Sequence, residues 1–137
     1  MSTKAASRAR EATVLAREVA TRAHAPYSGF RVGAVLEDRQ GNLHAGCNVE
    51  CASIGLSLCA ERAALAIAIS RGASAFTRLW IYTPTARPTR PCGACREMIL
   101  RCAGDLEVIL LCDGGATIRA RARDLLSCVG RRGGKVS

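Results

Sequence analysis

Two short stretches of the 137-residue chain hold residue types suited to metal chemistry, Cys59-Ala60-Glu61 and Pro91-Cys92-Gly93-Ala94-Cys95. A Cys-x-x-Cys pair alone fits a redox motif or half of a structural zinc site equally well. A third cysteine, Cys59, followed two positions later by an acid, narrows the choice. Three protein ligands leave a fourth position for water, the arrangement that separates a catalytic zinc from a structural one. Cys59, Cys92 and Cys95 are therefore expected to hold one Zn2+ per subunit, which would make hydroxide from water at neutral pH. Glu61 is expected to stay off the metal and to shuttle the proton, a role that typically contributes about 10²–10⁴-fold. Three thiolates leave such a site net negative and weaken the metal as a Lewis acid. Arg62 is the candidate to offset this by donating hydrogen bonds to a ligand sulfur.

Those residues need helix starts to position them. Ser57 reads as an N-cap for a helix from about Leu58 to Ser70, with Gly72 just past its end. Ala60, Ala63, Ala64, Leu65, Ala66, Ile67, Ala68 and Ile69 make it apolar on nearly every side, so it is expected to be buried all round. Pro91 suits the first turn of a second helix ending near Gly104. Both cysteine stretches thus fall at helix N-termini, where unpaired N–H groups and the macrodipole favour thiolates. Upstream, Ala12, Leu15, Ala16, Val19, Ala20 and Ala23 recur at helical spacing and predict a helix that stops before Pro26. Strands are expected over Phe30–Leu36 and Leu43–Val49, joined by a hairpin turn, and over Leu79–Tyr82, Glu107–Cys112 and Ala116–Ala120. A Thr/Pro/Arg-rich loop occupies Thr83–Arg90, and a last short helix about Ala122–Cys128. Helices alternating with strands imply a sheet covered on both faces, and the early hairpin makes it mixed.

The totals set bounds. Length points to one domain, residues 1–130, with a basic tail over 131–137 expected to be flexible. Nothing approaches a membrane span or a signal-peptide core, and a cytoplasmic location follows as the default. In a reducing compartment the eight cysteines read as metal-binding rather than as a disulfide framework. Cys47, Cys102, Cys112 and Cys128 are expected to be small buried hydrophobes, and His24 and His44 structural. The net charge of +9 lies largely at the chain ends, without aromatic residues interleaved along a groove. A polynucleotide partner is therefore disfavoured.

A zinc ligand, a Glu two residues on and a later Pro-Cys-x-x-Cys together resemble the zinc-deaminase pattern. From Ala25 to Leu111 the chain resembles the small cytidine deaminase family. The matching stretches are Ala25-Pro26-Tyr27-Ser28, Phe30 to Ala34, Gly46 to Glu50, Cys59 to Arg62 and Pro91 to Arg96. The resemblance implies an α/β fold, a three-layer α/β/α sandwich with a mixed five-stranded sheet, assembled as a homotetramer. It also implies a free nucleoside as substrate, with Asn48 and Glu50 on the sugar, Phe30 against the pyrimidine and the backbone around Ala60 on the base. Asn48 and Glu50 are pictured as a buried amide–carboxylate pair that would repel a 3′-phosphodiester. Cys51, Ile54 and Arg90 depart from the usual pattern, as does a C-terminus without an aromatic residue. These departures bear on substrate identity. A modified cytosine nucleoside or a nucleoside antibiotic stands as the alternative substrate, and a non-catalytic zinc-stabilised interaction domain as the alternative class.

Overall fold

A computed structural model describes residues 2–127. The predicted basic tail and Cys128 lie outside the described residues. Five strands form one mixed sheet in the order β2-β1-β3-β4-β5. They are β1 (Gly33–Asp38), β2 (Leu43–Cys47), β3 (Phe76–Tyr82), β4 (Glu107–Leu111) and β5 (Ile118–Arg121). β1 runs antiparallel to both β2 and β3, β3 is parallel to β4, and β5 closes the edge antiparallel.

Alternation along the strands sorts the side chains into two cores. Val35, Trp80, Ile109 and Leu111 face α1 (Thr3–Ala20), which contributes Ala12 and Ala16. Ala34, Leu36, Leu79, Ile81, Val108 and Leu110 face the other way. There they meet α2 (Ala60–Ser70) through Ala60, Ala64, Leu65 and Ala68, α3 (Gly93–Ala103) through Ile99, and α4 (Ala122–Ser127) through Ala122 and Leu125. This is the expected three-layer α/β/α arrangement. With aromatic residues scarce, alanine lets the helices approach closely: a Cβ at Gly46 of β2 would collide with the backbone of Ala63 and Ala64.

Several expected boundaries shift, each for a physical reason. β1 begins at Gly33 rather than Phe30, because the Asn48 side chain takes over the backbone there: it accepts from Val32 N at 2.8 Å and donates to Phe30 O at 2.8 Å. β2 ends at Cys47, after which Val49 makes isolated bridges with His24 and Leu58. The N-cap of α2 is Cys59, not Ser57, whose hydroxyl instead accepts from Cys51 N at 2.9 Å. Pro91 stands just ahead of α3, outside its first turn, because Cys92 is the N-cap. Within one chain α2 is not buried all round: Ala66 and Ile69 stay exposed, since only one side of the helix meets the sheet and α3. Cys112 is buried as expected, but Cys47 is half-buried and Cys102 exposed on α3. His44 is buried and hydrogen-bonded to Asp38, whereas His24 is exposed and pairs through its backbone.

Candidate active site

Both cysteine stretches reach the site as N-caps. Cys59 precedes α2 with φ −74° and ψ 152°, and Cys92 precedes α3 with φ −65° and ψ 163°. Both caps have extended backbone geometry, but only Cys92 uses its side chain to cap the first helical turn, and Cys59 makes no side-chain cap hydrogen bond. Cys92 Sγ accepts from Cys95 N at 3.4 Å. Cys95, one turn further on, is buried with its sulfur 3.1 Å from that of Cys92. Cys59 Sγ lies 3.8 Å from Cys92 Sγ across 33 residues of sequence. Among the described residues, the three sulfurs are the one group of metal-binding atoms lying within 4.8 Å of one another.

This donor set fits zinc. Sulfurs around a tetrahedral zinc with bonds near 2.3 Å stand about 3.8 Å apart. The Cys59–Cys92 pair already has that spacing, and the Cys92–Cys95 pair would open by about 0.7 Å. The thiols also carry unequal proton affinities. Cys59 is held down to about 5, first by a hydrogen bond from the Cys95 thiol, against the effect of burial, and then by Arg62 and Cys92. Cys95 is pushed up beyond the usual thiol range because it is the donor to Cys59, because it is buried and because Glu61 is near. Metal binding would replace that shared proton.

Glu61 sits in the first turn of α2, 6% exposed. Burial raises its pKa to about 7, with the Cys59 charge adding to the rise and its own backbone N–H, the Cys95 thiol and Arg62 opposing it. A carboxyl group poised there can both take and give a proton at neutral pH. Arg62 Nη2 donates to Ser57 O at 2.9 Å and lies 3.7 Å from Cys59 Sγ. The expected sulfur contact is present, shared with a carbonyl.

These groups open onto a cavity of about 250 Å³ lined by Cys59, Ala60, Glu61 and Cys92 together with Phe30, Val32, Ile81 and Asn48. The rest of its lining is Thr83, Thr89, Arg90 and Pro91, from the loop between β3 and α3. A family model described as the cytidine and deoxycytidylate deaminase zinc-binding region matches residues 6–112.

The chain belongs to this family. A cytidine deaminase of Sporosarcina psychrophila is 42% identical over 89 residues, covering 64% of this chain and 65% of that protein. One of Halalkalibacterium halodurans is 44% identical over 89 residues, with 64% and 67% covered. The matched stretch thus spans about two thirds of the length of each. The crystal structure of cytidine deaminase from Burkholderia pseudomallei superposes with a TM-score of 0.81 at 38% identity, covering 91% of this chain and 96% of that one.

Within this deaminase-family frame the fold brings together most of the residues singled out from sequence. Cys59, Cys92, Cys95, Glu61 and Arg62 cluster, and Phe30, Asn48 and Ala60 line the same cavity. Glu50 does not line it. It is half-buried rather than buried, and its carboxylate accepts from Tyr27 N and Ser28 N at 3.1 Å each and from the Ser28 hydroxyl. The turn before Gly29 leaves those amides without strand partners, and Glu50 supplies the acceptor; hydrogen bonds from Ser28 hold its pKa below the usual value. Cys51 is exposed and also absent from the lining, while Arg90 belongs to it.

Sequence reasoning singled out Arg90 in this loop but missed its threonines. Thr83 bonds Thr85 at 2.9 Å, and Thr85 donates to Arg87 O and lies 3.4 Å from Thr89, forming a chain of hydroxyls along the loop. Asp113 N donates to Thr85 O, Cys112 Sγ lies 3.5 Å from Ala86 O, and Gly114 is pressed against Ala86, so the loop is tied to the end of β4. The signal available was three threonines between a strand end and a metal-binding helix, read only as loop composition.

Proposed function

We propose that this chain hydrolyses the exocyclic amine of cytidine or 2′-deoxycytidine, giving uridine or 2′-deoxyuridine and ammonia, as a step of pyrimidine salvage. One observation carries the reading: a buried carboxyl group, Glu61, lies in the same small cavity as a convergent thiol set at two helix N-termini. Zinc held by Cys59, Cys92 and Cys95 supplies Lewis-acid activation of the attacking water when bound. Glu61 takes that water's first proton and delivers it to the ring nitrogen, then takes its second, left on the hydroxyl now bound to carbon, and gives it to the departing amine, so that one carboxyl group serves as base and then as acid. Family membership and the fit of the donor set support this assignment.

Substrate positioning is read in the same way. Phe30 stacks against the pyrimidine from the cavity side, and the first backbone amides of α2 around Ala60 meet its polar edge. Asn48 and Glu50 take the sugar hydroxyls. Asn48 is rigid because both ends of its amide are already engaged by backbone, and Glu50 approaches from the 27–28 turn. A 3′-phosphodiester would meet the Glu50 charge, which favours free nucleosides over polynucleotides.

A second substrate reading, a modified cytosine nucleoside, rests on Arg90 in the cavity wall. For assembly we infer a homotetramer. Val49 and Leu58, joined by a backbone bridge, and Leu56 and Ile69 are exposed apolar side chains that a neighbouring subunit would cover. No helix among the described residues is long and apolar enough to cross a membrane. A site built from three reduced thiols is suited to the cytoplasm.

A spectrophotometric assay over a panel of cytosine nucleosides, with Glu61→Gln as control, tests the proposal. Deamination that disappears in the variant is the expected result. Inactivity on every cytosine nucleoside, or full activity in Glu61→Gln, would overturn it.

A further inference from the structure

We propose that Arg96 is a positioning residue for the metal ligand Cys92, and that the last helix, α4, is its anchor. This rests on the metal-site reading above and adds a residue to it. Arg96 is 7% exposed, a long cation deep in the domain. Its Nε–H donates to the carbonyl of Pro91, the residue ahead of Cys92, while its backbone N–H donates to the carbonyl of Cys92 itself at 3.0 Å. One residue therefore fixes the peptide planes on both sides of a ligand that is also the N-cap of α3. The backbone bond belongs to any helix, but the side-chain bond does not. Pro91 has no N–H and cannot be held by a backbone ladder from its own nitrogen, and its carbonyl precedes the first helical turn, so it needs an outside donor.

The same guanidinium reaches across to a second carbonyl. Its Nη1 donates to Leu125 O at 3.1 Å, at the C-terminal end of α4, where helical carbonyls lack partners. α4 is fastened at its other end by Asp105, whose carboxylate accepts from Arg123 N at 3.0 Å, and by Ala122 N donating to Leu106 O at 2.9 Å. Leu125 and Ala122 bury their side chains in the core beside Ile99 of α3. The chain of contacts runs from Asp105 through α4 to Arg96 and from there to the backbone of Cys92. Of these residues only Cys92 belongs to the thiol set. Arginine suits this task because its rigid fork serves two acceptors at a fixed angle, whereas lysine offers a single point of contact.

The test compares zinc-loaded wild type with Arg96→Met, Arg96→Lys and Asp105→Asn, each checked by far-UV circular dichroism. Two quantities are read: the rate of zinc release to a chromogenic chelator, and kcat and KM for cytidine. Arg96→Met should release zinc about 10-fold faster or more, as supporting contacts of metal sites usually do when lost, and lose kcat with little change in KM. Arg96→Lys should recover part of both, and Asp105→Asn, remote from the metal, should speed release in the same direction by a smaller factor. Wild-type zinc release and kcat in Arg96→Met, or a variant that loses thermal stability alone, would overturn the proposal. If Arg96→Met does not fold, wild-type release in both Arg96→Lys and Asp105→Asn has the same force. Zinc release is measured without turnover, so a protein that binds zinc but leaves cytidine untouched would refute the proposed function and still decide the role of Arg96.

Discussion

Nη2 of Arg62 lies 3.7 Å from Sγ of Cys59, in the first turn of the helix that Cys59 caps. The cation is partly withdrawn from solvent, and its charge favours the thiolate form of Cys59. Replacing Arg62 with Gln keeps the length of a polar side chain but removes the charge. Turnover should fall by about 10–100-fold while zinc content, measured by atomic emission, changes far less. Equal losses of both would show that Arg62 holds the metal rather than adjusting its chemistry.

Arg90 lines the cavity between Thr89 and Pro91 and is the one basic residue of its lining. A charge-assisted hydrogen bond contributes about 1.5–3 kcal/mol. Arg90→Ser should therefore change the ratio of kcat/KM between cytidine and an analogue with an acidic substituent by about 10-fold or more, in favour of the neutral substrate. An unchanged ratio across such a pair would remove Arg90 from substrate selection.

Gly46 on β2 lies against the backbone of Ala63 and Ala64, one turn beyond Glu61. Gly46→Ala has to push α2 away from the sheet. Overpacking of this kind costs about 1–3 kcal/mol, and urea denaturation should report a loss in that range together with reduced kcat. A variant of wild-type stability would mean that the helix can move aside freely.

His44 Nε2 donates to Asp38 Oδ2 at 2.9 Å, and Gln40 N and Asn42 N donate to Asp38 Oδ1 at 2.9 Å each. Burial raises the carboxyl pKa, but His44 and these amides outweigh it and hold Asp38 below its ordinary value of 3.8. A depressed folded-state pKa contributes stability that is present above the unfolded value and lost as pH falls through the folded one. The wild type should lose stability below about pH 4, and Asp38→Asn should be less stable by about 1–3 kcal/mol at pH 7 with a shallower acid limb. Parallel acid denaturation curves would exclude this role.

The site was more legible in the sequence than the edges of the elements that carry it. Cys59, Glu61, Cys92 and Cys95 could be grouped from residue type and spacing alone, because the ligands of a metal must be the right atoms whatever the backbone does. The helix starts behind them were misplaced by one or two residues for the same reason. Ser57 is the better cap by type, yet its hydroxyl serves Cys51, and the cysteine takes the cap. That Glu50 would also be the acceptor for the turn at Tyr27 and Ser28 was not legible, because it is a tertiary demand that leaves no local trace. The exposed side of α2 was hidden by uniform alanine and isoleucine, where composition has no direction to give.

The loop of residues 83–90, which brings Thr83, Thr89 and Arg90 to the cavity, follows β3 and is tied to the end of β4 by Asp113, Cys112 and Gly114, whereas the sulfur ligands are carried by the starts of α2 and α3. This part of the lining and the thiol set thus have different scaffolds. Exchanging this eight-residue segment between relatives offers a route to new nucleoside preferences in which the ancestral reaction centre need not be rebuilt each time.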